Sequence, residues 1–237
     1  MSRWIAQKTV KRITLGMLGL LACVAVVAED TEKVGKGALT MITLAKPAPK
    51  GSMSVEEAIA RRRSVREFTT APLTAEHLSQ LLWAAQGITH PSGLRAAPSA
   101  GATYPLEVYA VIGNVRGIPS GVYRYDPLRQ ALIAHCEGDR RAKLAVACLS
   151  QEWVREAPAS IVVTAVYERT TKRYGKRGIQ YVHIEVGHVA QNVYLQATAL
   201  GLGTVIVGAF QDNAVAACLS LPPEEIPLAV LPIGHPG

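Results

Sequence analysis

The chain is 237 residues long, with 49% hydrophobic and 18% charged residues and 25 Lys and Arg against 18 Asp and Glu. That length bounds it at one compact domain or two very small ones, and the apolar share suffices for a core, which excludes disorder over the bulk of the chain. Aromatic residues make up 5%, with two Phe, leaving few platforms on which nucleobases could stack.

The formal charge of +7 is concentrated at the start. Residues 1–28 carry Arg3, Lys8, Lys11 and Arg12 and no acid, with an apolar run from Ile13 to Ala28 followed by Glu29 and Asp30. A basic segment before an apolar run too short for a bilayer span is the layout of an export signal. Val26-Val27-Ala28 puts small residues before a cleavage point that would free residues 29–237. Leu20-Leu21-Ala22-Cys23 resembles a lipoprotein processing site, which would anchor the protein to the membrane through Cys23, and Lys11-Arg12 is similar to a twin-arginine signal with Lys in first place. A retained helix is the remaining alternative. The expected location is exported, periplasmic or lipid-anchored. Losing those four cations takes the formal charge from +7 to +3, which removes the main support for a nucleic-acid partner.

Residues 29–52, with Lys36, Lys46, Pro47, Pro49, Lys50 and Gly51 and no sustained periodicity, read as a linker or extended arm. The folded domain is expected over 53–237. Ser54-Val55-Glu56-Glu57 predicts a capping box and a helix through about Arg63. Thr74 opens a second helix, Ala75 to Gln86, stopped by Gly87. Leu106 to Ile112 predicts a strand, and Gly121 to Asp126 with Gln130 to Cys136 a hairpin around Asp126-Pro127. A helix near Arg140 to Leu149, a strand Ile161 to Tyr167 and a long helix Tyr181 to Leu200, ended by Gly201, come next. Thr204 to Val207 reads as a buried strand, Asn213 to Leu219 as a short helix and Leu228 to Ile233 as the last strand. Without a regular βαβ alternation, the class is α+β.

Three segments carry candidate chemistry. Arg61 to Phe68 (RRRSVREF) places several guanidinium groups and a hydroxyl at a helix end, the donor set that a dianionic phosphate takes. Arg in a last helical turn also complements the helix dipole, and on this segment alone the two readings stand level. Ala97 to Pro105 (APSAGATYP) is a run of small residues through which backbone could approach a flat ligand. Gly201 to Gly208 is spaced G-x-G-x4-G and leads from helix to strand, the reverse of the dinucleotide fingerprint. His183, Glu185 and His188 share a helix without the H-E-x-x-H spacing, so no metal site is expected. Cys136, Cys148 and Cys218 contain no C-x-x-C and read as small buried hydrophobes, one disulfide remaining open.

The segments 61–68 (RRRSVREF), 94–109 (LRAAPSAGATYPLEVY), 121–127 (GVYRYDP), 184–210 (IEVGHVAQNVYLQATALGLGTVIVGAF) and 227–237 (PLAVLPIGHPG) resemble the FMN-dependent nitroreductase family, in the branch holding SagB-type and thiazoline/oxazoline dehydrogenases. The resemblance implies a central, mainly antiparallel sheet flanked by helices and a domain-exchanged homodimer with FMN in each of two interface clefts. It further implies that Arg62, Arg63, Ser64 and Arg66 hold the phosphate and ribityl chain, that Pro98, Ser99, Ala100 and Gly101 line the flavin, and that Val207 and Gly208 offer it backbone groups. Many relatives continue past the last strand with a basic pair on the phosphate. Here the charge is expected to rest on Arg62 to Arg66, helped by Arg95. No catalytic acid or base is asked of the chain, since the flavin carries the hydride. The implied function is an exported FMN-dependent oxidoreductase acting on a small-molecule substrate, with the electron donor open, because NAD(P)H-using relatives work in the cytosol. An azoline-to-azole dehydrogenase and a non-catalytic flavin or small-ligand binding protein are the alternatives.

Overall fold

The computed structural model describes residues 40–237. The export signal read over 1–28, Cys23 included, and the arm up to residue 39 lie outside the described residues. Seven strands, β1 (Met41–Thr43), β2 (Leu106–Ile112), β3 (Gly121–Asp126), β4 (Ala131–Glu137), β5 (Ala159–Ala165), β6 (Gly203–Thr204) and β7 (Ile226–Gly234), form one sheet in the order β1-β4-β3-β2-β5-β7-β6. Every neighbouring pair is antiparallel. Among the described residues, seven α-helices flank it: α1 (Val55–Arg61), α2 (Ala75–Gln86), α3 (Arg141–Ala147), α4 (Glu152–Glu156), α5 (Glu168–Tyr174), α6 (Arg177–Ala199) and α7 (Asp212–Leu219).

The alternation of side chains along a strand explains why helices lie on both faces. In β2, Leu106, Val108, Ala110 and Ile112 meet α2 and α6 in one core, while Tyr109 and Val111 point into a second core with α3 and α7. β5 splits in the same way, Ile161 and Val163 to the first core and Val162 to the second, so all seven of its residues are buried. α6 contributes a stripe of Val182, Val186, Val189, Val193 and Ala197, spaced three and four apart as an amphipathic helix requires.

α2 has the predicted bounds, and its Thr74 Oγ1 accepts from the His77 N–H at 3.1 Å. α1 ends at Arg61 because Arg62 turns to an extended ψ of 125°. α4 and α5 have no counterpart in the sequence reading: each buries one residue, Val154 and Thr170, too little to show a period. The strand expected over Thr204 to Val207 is interrupted. Thr204 pairs with Ile233 and Val207 with Val230, but between them the Ile206 N–H donates to the Tyr194 hydroxyl instead of to the sheet. Met41–Thr43, within the predicted arm, pairs with Ala131–Ile133 as an edge strand three residues long. Cys136, Cys148 and Cys218 are free thiols, and burial pushes Cys148 up to about 12.

A histidine pair gives this fold a pH dependence. The rings of His77 on α2 and His235 after β7 lie edge to face with centroids 5.9 Å apart, and the buried Nδ1 of His77 has no partner. Burial, then the charge of His235, hold His77 below the usual histidine range, with Glu76 acting in the opposite sense. The unfolded chain therefore takes up this proton more readily than the folded one. The stabilisation is complete above the unfolded value of about 6.5 and is lost as pH falls through the folded value. The melting temperature is expected to drop as pH falls below the unfolded value of about 6.5, and His77→Gln should flatten that part of the profile.

Candidate functional site

The arginine segment is stitched down on one side and open on the other. Ser64 bridges to Thr204, the Val65 N–H donates to the Thr204 carbonyl at 2.9 Å, and Thr204 Oγ1 donates to the Pro232 carbonyl at 2.8 Å. Farther along, the Thr69 N–H donates to the His235 carbonyl and the Gly237 N–H to that of Glu67, at 2.9 and 3.0 Å. Val65 packs against Gly203, which has no side chain to obstruct it. With the backbone pinned, the cations are displayed on aromatic faces: Arg62 lies 5.1 Å from the centroid of Tyr194 and Arg66 5.8 Å from that of Trp153.

Arg61 pairs with Glu57, and Arg124, Arg129, Arg141, Arg155 and Arg169 each hold a carboxylate. Among the described residues, Arg62, Arg63 and Arg66 form no such pair. Arg63 is occupied in another way: its Nη1 donates to the carbonyls of Ala60 and Arg62 at 2.9 and 2.7 Å, satisfying the end of α1. Arg62 and Arg66, stacked but without an acid, and the exposed hydroxyl of Ser64 are donors suited to an anion such as the FMN phosphate.

Tyr194, absent from the sequence reading, ties this set together. Its hydroxyl is 3.0 Å from Ser64 Oγ and 2.9 Å from the Ile206 nitrogen. In sequence it is one more member of the buried stripe of α6, and nothing in the pattern marks its oxygen. Val207 and Gly208 follow directly. Val207 exchanges both backbone hydrogen bonds with Val230, at 2.8 and 3.0 Å, so its N–H is already spent on the sheet, whereas Gly208 is exposed with open space where a Cβ would stand.

The small-residue loop is held in a conformation that ordinary residues seldom adopt. Gly101, Ala102 and Tyr104 have φ of 59°, 53° and 44°, in the left-handed region. Side-chain hydrogen bonds hold it: Ser99 Oγ accepts from the Tyr104 N–H at 3.0 Å, Thr103 Oγ1 lies 2.7 Å from Thr170 Oγ1 on α5, and Arg173 and Arg169 of the same helix donate to the carbonyls of Gly101 and Tyr104, each at 3.1 Å. A Cβ at Gly101 would stand 2.4 Å from the Tyr174 hydroxyl. Pro98, Ser99 and Ala100 wall a cavity of about 280 Å³, completed by Tyr181, Ile184, Glu185 and His188 of α6.

Beneath the loop lies a buried polar cluster. Glu185 is 2% exposed and its Oε1 has no partner, as has Gln86 Nε2. Arg95, expected to help the phosphate, is instead drawn into this cluster: its Nη1 donates to Gln86 Oε1 at 3.0 Å and its guanidinium lies 4.5 Å from the Tyr104 ring centroid. Burial pushes the Glu185 carboxyl up, while Ser99, Gln86 and the charge of Arg95 act in the opposite direction. His183 points elsewhere, its Nε2 2.9 Å from the Tyr167 hydroxyl.

Within one protomer the two halves of the predicted site stay apart. The loop meets α6 between Tyr181 and His188, and the arginine turn meets it at Tyr194. Nine residues separate Glu185 from Tyr194, about 14 Å along the axis at 1.5 Å per residue. A second cavity, about 700 Å³ between residues 45–55, α2 and α6, is lined by neither half.

A seven-stranded antiparallel sheet in this order, helices on both faces and a donor turn suited to an anion are the features that comparison with known proteins places. The model of the nitroreductase family matches residues 59–235, and the chain belongs to that family, a family of FMN-dependent oxidoreductases. A Methanocaldococcus jannaschii protein bearing the provisional name of a nitroreductase is 48% identical over 183 residues, 77% of this chain and 91% of its own. The crystal structure of a Ralstonia eutropha protein with the same provisional name has a TM-score of 0.75 at 31% identity, covering 86% of this chain and 92% of that one. A chain of the Escherichia coli microcin synthetase McbBCD complex has a TM-score of 0.65 at 25% identity, covering 83% of this chain and 78% of its own.

Proposed function

We propose that this protein binds FMN at the interface of a homodimer and moves hydride or electrons between a donor and a small-molecule substrate. The observation that carries the reading is the pinned turn in which Arg62, Arg66 and Ser64 present donors with no carboxylate to receive them. In this reading Arg62, Ser64 and Arg66 of one protomer hold the phosphate, with Arg63 securing the turn beside them. Gly208 borders the ring system, and Pro98 to Gly101 of the other protomer line it. The dimer is invoked because members of the family are commonly dimers and because the two groups meet α6 nine positions apart, about two and a half turns, and so on opposite sides of its axis. When bound, FMN supplies hydride or electron transfer at its N5. The chain's own part is to hold the phosphate, to shape a shallow apolar cradle from small side chains and to order the reacting atoms.

The test is direct. Purified full-length protein should be yellow, release FMN on denaturation, run as a dimer and turn over steadily with a donor and an acceptor. Colourless, monomeric protein indifferent to added flavin would refute the reading, and flavin without turnover would favour a binding protein. Likeness to a chain of the microcin synthetase supports a second reading, oxidation of an azoline to an azole in a peptide, for which a synthetic azoline peptide is the discriminating substrate. We also propose that the chain is exported. Its mature form should begin at Glu29 or at a lipidated Cys23; an intact mass of the exported protein matching neither would remove this proposal.

A further inference from the structure

The proposed phosphate turn contains one group whose role its own contacts decide. The Tyr194 hydroxyl is 2.9 Å from the Ile206 nitrogen and 3.0 Å from Ser64 Oγ. A backbone N–H can only donate, so toward Ile206 the tyrosine oxygen is the acceptor. The phenolic proton then needs an acceptor of its own, because Tyr194 is 6% exposed and a buried O–H without a partner is costly. Ser64 Oγ is the only further hydrogen-bond partner of this hydroxyl among the described residues.

If Tyr194 donates to Ser64, the serine oxygen is engaged as acceptor and its proton is left to point outward. The two hydroxyls and the amide then form one directed chain, Ile206 N–H to Tyr194 O–H to Ser64 O–H, ending at the exposed surface between Arg62 and Arg66. Each link polarises the next. The guanidinium of Arg62 over the phenol ring, 5.1 Å from its centroid, draws electron density from the ring and strengthens the phenol as a donor. The Ser64 backbone is already fixed by its bridge to Thr204 and by the Val65 N–H bond, so the tyrosine has no need to place the serine. What it sets is the direction of the hydroxyl.

We propose that Tyr194 is a positioning residue for phosphate recognition: it commits Ser64 to the donor orientation, so that the protein selects the phosphorylated flavin over riboflavin. This rests on the FMN reading given above. It differs from a structural role in one measurable respect, since a residue that only holds the fold together would weaken both flavins alike.

The experiment titrates FMN and riboflavin, by quenching of flavin fluorescence, into full-length wild type, Tyr194→Phe, Ser64→Ala and the double variant. Tyr194→Phe should weaken FMN about three- to tenfold and leave riboflavin within about twofold, and in the Ser64→Ala background it should add nothing further. Equal weakening of both flavins, unchanged FMN affinity, or additive effects in the double variant would overturn the proposal. If Tyr194→Phe does not fold, Ser64→Ala decides: the preference for FMN over riboflavin must fall, and an unchanged preference overturns the assignment. Wild type binding neither flavin would instead refute the FMN reading itself, and with it this role.

Discussion

Gly203→Ala is expected to destabilise the protein by about 1–3 kcal/mol, the usual cost of overpacking, which at this size lowers the melting temperature by roughly 3–10 °C. It should also impair flavin retention. The new Cβ would lie 2.7 Å from both Cβ and Cγ1 of Val65 and 2.9 Å from Cγ2. A rotamer change does not relieve a contact with Cβ, and the Val65 N–H is bonded to the Thr204 carbonyl next along β6. The strain is therefore relieved by lifting the arginine turn off β6, displacing Ser64 and Arg66 together. Gly51→Ala, with nothing within 4 Å of its Cβ, is the control and should leave both readouts unchanged. Thermal melting and FMN titration on the same samples check the two effects, and a variant as stable as wild type would show that the turn is not held where described.

Arg66→Ala is expected to cost about 1.5–3 kcal/mol of FMN binding, roughly a ten- to hundredfold rise in Kd, the range for a hydrogen bond to a charged group. Arg66 is exposed and lies over Trp153 without a carboxylate partner, so its loss leaves no buried charge uncompensated and should barely alter the melting temperature. Arg66→Lys should recover part of the loss, because an ammonium keeps the charge without the planar fork that matches phosphate oxygens. Raising the salt concentration should narrow the difference between wild type and Arg66→Ala. An unchanged Kd for Arg66→Ala would remove this residue from the phosphate site.

Elements whose ends carry their own chemistry were legible from the sequence. Thr74 and Gly87 bound α2, and a nearly continuous apolar run between Pro105 and Gly113 marks β2, because caps and short apolar runs are local properties. α5 was not legible, since its order comes from tertiary contacts: Arg169 reaches Glu107 and the Tyr104 carbonyl, and Arg173 the Gly101 carbonyl. The site divides along the same line. A cluster of cations and a run of small residues are visible in composition. That Arg95 turns inward to Gln86, that Arg63 returns to its own helix and that the Val207 N–H is spent on β7 depend on partners distant in sequence. Tyr194 was hidden for the opposite reason: its spacing makes it core, and its oxygen acts at the edge of that core.

The three residues of β1 have a bearing on how the protein behaves in concentrated solution. They occupy the outer side of β4, with the Ala134 N–H donating to the Thr40 carbonyl and the Leu44 N–H to that of Gln130, each at 2.9 Å. Without them, β4 would offer a row of unsatisfied amides and carbonyls to any other extended peptide, the usual template for sheet-to-sheet aggregation. Proteolytic maturation at residue 28 would spare this guard strand, whereas trimming past Thr43 would be expected to yield material that folds and then precipitates.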